Sequence, residues 1–153
     1  RTARNKTPVL YRGREDEIEI GKGVLLKDGS DVAIIACGVL VHEAIKAAEE
    51  LSNEGVNAAV VDMHTIKPLD HSLIDELVGK CGAIVSAEDH SVIGGLGSAI
   101  AEYLSSNIPA PLEMIGVKDR FGESGQADEM LELMELKSHH ISQAAKRAIQ
   151  RKS

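Results

Sequence analysis

Aromatic side chains are nearly missing from this sequence. Its 153 residues hold no tryptophan, two tyrosines (Tyr11 and Tyr103) and one phenylalanine (Phe121). Proteins that bind single-stranded nucleic acid stack bases on such rings, so that class is disfavoured from the outset. Cysteine is scarce too. Cys37 and Cys81 lie singly in or beside apolar stretches, too far apart for a CxxC redox motif or a zinc ribbon. They suit small buried thiols in a reducing compartment. No apolar run approaches the ~20 residues that span a bilayer, and no signal-peptide pattern is present. Positive charge is in deficit: 17 Lys and Arg against 24 Asp and Glu give a net charge of −7, which repels phosphate backbones. The expectation is a cytoplasmic protein without nucleic-acid or membrane partners. Because the first residue is Arg1 rather than Met, a fragment or processed product is expected.

What is present is a 43% hydrophobic, 27% charged composition, normal for one globular domain. Its core must be built from Val, Ile, Leu, Ala and Met. Residues 1–17 carry Arg1, Arg4, Lys6, Arg12 and Arg14 ahead of the first acid, and Pro8 blocks helix. They read as a linker from a preceding domain, with the folded domain over 18–151. Ile18 to Leu26 alternates loosely and predicts a strand pair turning through Asp28-Gly29. Asp31 to Cys37 and Asn57 to Asp62 are nearly uninterrupted apolar runs, the pattern of strands covered on both faces. Between them Val41, Ala44, Ile45, Ala48 and Leu51 share one helical face, with Gly55 placed to end the helix. Asp70 is a cap for a helix carrying Leu73, Ile74, Leu77 and Val78, with Gly79 and Gly82 flanking its end. Leu112 to Val117 predicts a further strand, and Lys118 to Gly125 a surface loop with Phe121 tucked inward. Helices follow from about Gln126 to Leu133 and from Ser138, the second burying Ile141, Ala144, Ala145, Ala148 and Ile149. Strands alternating with helices of this length indicate one α/β domain with a mostly parallel sheet.

The stretch around which the rest is arranged runs from Ala83 to Leu104. Ala83 to Ala87 predicts a buried strand; Glu88, Asp89 and His90 stand at its carboxyl end; Gly94, Gly95 and Gly97 make a turn into a helix. In open α/β sheets such an elbow is where sites and interfaces sit. The glycines invite a nucleotide reading, but G-x-G-x-x-G is incomplete: Ile100 stands where the last glycine belongs, and the turn follows a late strand. A close strand-to-helix turn explains them better. In strand geometry Glu88 and Asp89 point to opposite faces, which argues against a shared-proton pair. Asp62-x-His64 and Glu88-x-His90 each offer two metal ligands without a third. The adjacent His139 and His140 are expected to point apart, so no metal site is expected. Nucleophilic catalysis has no support, because G-x-S-x-G is absent and neither cysteine has an activating neighbour in sequence.

Four blocks in order, GKGVLLKDGSDVAIIACG, VVDMHTIKPLD, AEDHSVIGGLGSAIAEYL and FGESGQADEMLEL, resemble the C-terminal domain of transketolase-type thiamine diphosphate enzymes. That group includes transketolase, deoxyxylulose-phosphate synthase and the β chains of 2-oxoacid dehydrogenases. The resemblance covers about residues 8 to 149. It implies a three-layer α/β/α fold on a five-stranded, mainly parallel sheet. It also implies a two-carbon ketol transfer in a parent enzyme whose thiamine diphosphate and magnesium are held by domains lacking here. The near match Lys27-Asp28-Gly29 lacks the first glycine of the family's GDG motif. By resemblance this domain binds no cofactor, catalyses nothing alone, and supports a homodimer together with the parent's other domains or subunit. Arg4 aligns with an arginine that contacts a sugar phosphate. Glu88, Asp89, His90, Gly94, Gly95 and Gly97 match an interface signature, with a proton-transfer role for His90 the one catalytic candidate. The other readings are an interaction domain of a 2-oxoacid dehydrogenase β chain or a deoxyxylulose-phosphate synthase, and a free-standing nucleotide-binding domain.

Overall fold

A computed structural model describes residues 7–13 and 15–152. After a short 3-10 turn at Glu15–Glu17, the elements run β1 (Val24–Lys27), β2 (Val32–Ala36), α1 (Leu40–Asn53), β3 (Ala58–Asp62) and α2 (His71–Cys81). They continue with β4 (Ile84–Ser91), α3 (Leu96–Ser106), β5 (Leu112–Val117), α4 (Ala127–Leu133) and α5 (Ser138–Gln150). The strands form one mixed sheet in the order β1-β3-β2-β4-β5, in which β1 alone is antiparallel to its neighbour.

The apolar runs become strands because both sheet faces are covered. Val32, Ile34 and Ala36 face the layer of α1 and α5, while Ala33 and Ile35 face α2 and α3. All five residues are fully buried. Burying an Ile or Val side chain contributes about 1.5–3 kcal/mol, so a strand with both faces buried stabilises the fold with every residue. Asp70 caps α2 by accepting from the Leu73 N–H at 3.2 Å, and Gly82 closes the helix in the left-handed conformation. Tyr103 on α3 spans to α2, stacking on His71 at 4.1 Å and donating its hydroxyl to Asp75 at 2.7 Å.

Four sequence expectations are corrected. No hairpin turns through Asp28-Gly29: β1 pairs with β3, and both sides of β2 are taken by parallel neighbours. The Asp-Gly step instead carries the chain past the start of β3. A Cβ on Gly29 would lie 2.2 Å from the Ala59 nitrogen, and the Ser30 and Asp31 N–H groups both donate to the Asn57 carbonyl. Second, β4 runs on through Glu88, Asp89 and His90 to Ser91, so these residues belong to the strand rather than to an elbow. Third, Ser138 is the first residue of α5 and not its cap; the cap position is Lys137, and the Ser138 N–H donates to Glu43 of α1 at 2.9 Å. Fourth, Phe121 is 96% exposed, because no apolar neighbour covers the polar loop around it.

Candidate functional site

The sheet's strand order reverses between β2 and β4, and the carboxyl ends of the parallel strands gather Asp62, Glu88, Asp89 and His90 on one edge. Ladder pairing there is irregular. Ala87 faces Ile115 and Ser91 faces Val117, so three residues of β4 stand opposite Gly116 alone. This bulge re-aims the Glu-Asp-His triplet. It needs glycine on the partner strand, since a Cβ at Gly116 would lie 2.9 Å from the His90 carbonyl.

Glu88 is 1% exposed, and its carboxylate accepts from the Leu96 N–H at 2.9 Å and the Gly97 N–H at 2.8 Å. It therefore caps α3 from a neighbouring strand, matching negative charge to the positive end of the helix. The glycines follow from this contact. A Cβ on Gly95 would meet Glu88 Oε2 at 2.0 Å, and one on Gly97 would meet Ser86 Oγ at 2.7 Å and Met114 Sδ at 2.8 Å. Gly94 adopts the left-handed backbone conformation, φ 77°. Ser98 Oγ accepts from the Gly94 N–H and donates to the Val92 carbonyl, closing the turn. The triplet's other members diverge, Asp89 by strand alternation and His90 through the bulge, since strict alternation would return His90 to the face of Glu88. Asp89 lies on the opposite face, its carboxylate beside Gly38 before α1, and His90 is exposed to solvent.

Asp62, at the end of β3, is 7% exposed and accepts the Tyr11 hydroxyl at 2.7 Å, while its other oxygen finds no hydrogen-bond partner among the described residues. Burial raises its pKa above the usual carboxylate range, against the opposing pull of the Tyr11 bond and His64. The described part of the lead-in thus touches the domain: besides Tyr11, Leu10 packs against the α1/α5 layer and the Pro8 carbonyl lies 3.2 Å from His42 Nε2. Arg4 lies outside the described residues. Neither Cys37 nor Cys81 forms a disulfide among the described residues; burial pushes the Cys81 thiol up and away from reactivity.

At the far end of the chain, His139 and His140 do not point apart. Their rings lie 3.9 Å apart, centre to centre, because their tilted planes both turn toward the corner between α4 and α5. His139 Nε2 is 3.3 Å from Glu132 Oε1. Burial, aided by the adjacent His139, holds His140 below the ordinary imidazole range, and its Nδ1 is buried without a hydrogen-bond partner among the described residues. No local pattern announced the role of Glu88 as a cap, since its partners lie eight and nine residues on. The contact of Glu132 with His139 likewise depends on how two helices meet.

A three-layer α/β domain, with a buried carboxylate seated on a glycine turn at the switch point of a mixed sheet, defines the class. The family model described as transketolase, C-terminal domain, matches residues 21–141, and the chain belongs to this family. A 6-deoxy-6-sulfo-D-fructose transketolase subunit from a Clostridium species is 47% identical over 145 residues, 95% of this chain and 45% of that protein. A putative transketolase C-terminal section from Methanocaldococcus jannaschii is 44% identical, over 93% of this chain and 45% of its own length. A 1-deoxy-D-xylulose-5-phosphate synthase from Trichormus variabilis is 39% identical, over 89% of this chain and 21% of its own. Among solved structures, one described as a split gene transketolase, inactive beta4 tetramer, superposes with a TM-score of 0.93 at 42% identity, covering 98% of this chain and 49% of that one. The chain therefore spans about half the length of the first two relatives and about a fifth of the synthase.

Proposed function

We propose that this chain is the C-terminal, non-catalytic part of a cytoplasmic transketolase-type enzyme. It supports a homodimer and packs against the domains or subunit that transfer two-carbon ketol units between sugar phosphates with thiamine diphosphate and magnesium. The observation that carries this reading is the occupation of α3 by Glu88. The two N–H groups an anionic ligand would seek first are already bound to a buried carboxylate. A diphosphate placed there would face that negative charge, so these residues do not fit the cofactor. The same contact weighs against a free-standing nucleotide-binding domain. Glu88, Gly94, Gly95 and Gly97 then serve as a rigid joint, and Asp89 and His90 stand on the strand end available to a neighbouring domain. The relatives named as a transketolase subunit and a transketolase section, each about twice as long as this chain, support a place for it beside at least one further domain.

Calorimetric titration of the chain with thiamine diphosphate and Mg²⁺ tests the reading. No binding is expected, and a saturable micromolar isotherm would overturn it. The synthase relative supports a second reading, in which the whole enzyme makes 1-deoxy-D-xylulose 5-phosphate rather than transferring ketol units between sugar phosphates. Assaying the chain together with its complementary domains, for ketol transfer between sugar phosphates or for formation of 1-deoxy-D-xylulose 5-phosphate, separates the two. In that assembly Arg4→Ala is expected to raise KM for the sugar phosphate while leaving cofactor affinity unchanged.

A further inference from the structure

Glu132 lies in the last turn of α4, and His139 and His140 lie in the first turn of α5, so one helix corner brings a carboxylate and two imidazoles together. One ligand atom from each lies within 4.8 Å of the other two. The closest pair, His139 Nε2 and Glu132 Oε1, is separated by 3.3 Å. Two atoms bound about 2.0–2.1 Å from a shared zinc at a tetrahedral angle lie about 3.3 Å apart, so this spacing is that of a formed edge of a coordination tetrahedron. His140 supplies the third corner, and its unpartnered Nδ1 shows that its ring is not committed to another hydrogen-bond network among the described residues.

Charge and access agree with the geometry. Glu132 and His139 also line an open cleft of about 630 Å³, together with Glu43, Lys46, Asp128 and Lys137. Both lysines of that cleft are already paired, Lys46 with Glu43 and Lys137 with Asp128, which leaves the carboxylate of Glu132 facing the imidazoles. A cation therefore has a path in and no unpaired lysine of that cleft to oppose it.

We propose that Glu132, His139 and His140 form a binding site for a divalent transition-metal ion of the zinc class, which ties the last turn of α4 to the first turn of α5. Two imidazole donors select zinc, cobalt, nickel or copper over magnesium and calcium, which take oxygen ligands. Three protein ligands leave one position for water. This site lies apart from the sheet edge that carries Glu88, and it does not depend on the reading of that edge.

The test is titration of the chain with ZnCl2 by calorimetry and with CoCl2 by visible absorption. Expected are one saturable equivalent of Zn²⁺ in the micromolar range and the intense d–d bands of tetrahedral cobalt. Millimolar Mg²⁺ should not compete. His139→Ala and Glu132→Gln, both at exposed positions, should each weaken binding about tenfold or more, as should His140→Ala. His42→Ala, on α1 but outside the lining of that cleft, should leave it unchanged. Absence of saturable binding, displacement by Mg²⁺, retention of affinity in both histidine variants, or equal loss in His42→Ala would each overturn the proposal. Since His139 is half exposed, its replacement keeps the test sound even if His140→Ala fails to fold.

Discussion

Glu88 shows how a residue that reads as catalytic in sequence becomes structural in space. Its carboxylate makes two charge-assisted bonds to backbone N–H groups, each worth roughly 1.5–3 kcal/mol. Glu88→Ala is expected to destabilise the domain by about 3 kcal/mol or more, measured by urea denaturation. A loss below about 0.5 kcal/mol, the ordinary range of surface substitutions, would show that the cap is not needed. Asp62 is the opposite case, a buried acid with one unpartnered oxygen. Its pKa in the folded chain is raised, chiefly by burial. The folded state therefore holds this proton to a higher pH than the unfolded chain, whose Asp titrates near about 3.9. Stability from this group is full below that value and is lost as pH rises through the folded pKa. Asp62→Asn, which keeps an acceptor for Tyr11, is expected to raise the urea midpoint at pH 7. That gain should vanish as the pH falls below about 4; a gain that is the same at both pH values would refute the assignment.

At the scale of elements, α5 is held by α1 more firmly than apolar periodicity alone requires. Glu43 accepts from the Ser138 N–H at 2.9 Å, while the Glu50 carboxylate receives the Ser138 hydroxyl at 2.5 Å and the Ser142 hydroxyl at 2.7 Å. Ser142 also donates to the Ala47 carbonyl at 3.3 Å. These bonds sit beside Ile141, Ala144 and Ala145, which are fully buried, so little water competes for them. A double-mutant cycle of Glu50→Ala and Ser142→Ala is expected to give a coupling of about 1 kcal/mol, in the range seen for residues in one network. Additive losses would place the two residues in separate environments. Sequence periodicity identifies the buried face of α5 correctly. It misplaces the cap because Ser138 satisfies its backbone through an acid 95 residues earlier, a contact no local pattern encodes.

For the molecule as a whole, the doubly covered sheet leaves a loop at 118–125 whose one aromatic residue points outward. Phe121→Ser is expected to leave the folding free energy within about 0.5 kcal/mol, since an exposed ring contributes no packing to lose. A destabilisation of about 2 kcal/mol in thermal unfolding would mean that the ring is buried after all. The three-layer architecture was readable because strands with two buried faces are apolar throughout, and because helices between them show a single apolar stripe. The pairing of β1 was not readable. An Asp-Gly step is compatible both with a hairpin and with a chain passing over one strand, and β3, which decides between them, follows 30 residues later.

The amino-acid order by itself determined the elements, their buried faces and the family, since each depends on side chains near one another in the chain. Only the tertiary structure decided which carboxylates are caps, which is left buried with an unpartnered oxygen, and which histidines meet an acid. Those outcomes depend on distances between groups brought together by packing, and on the removal of water around them, neither of which a linear pattern specifies.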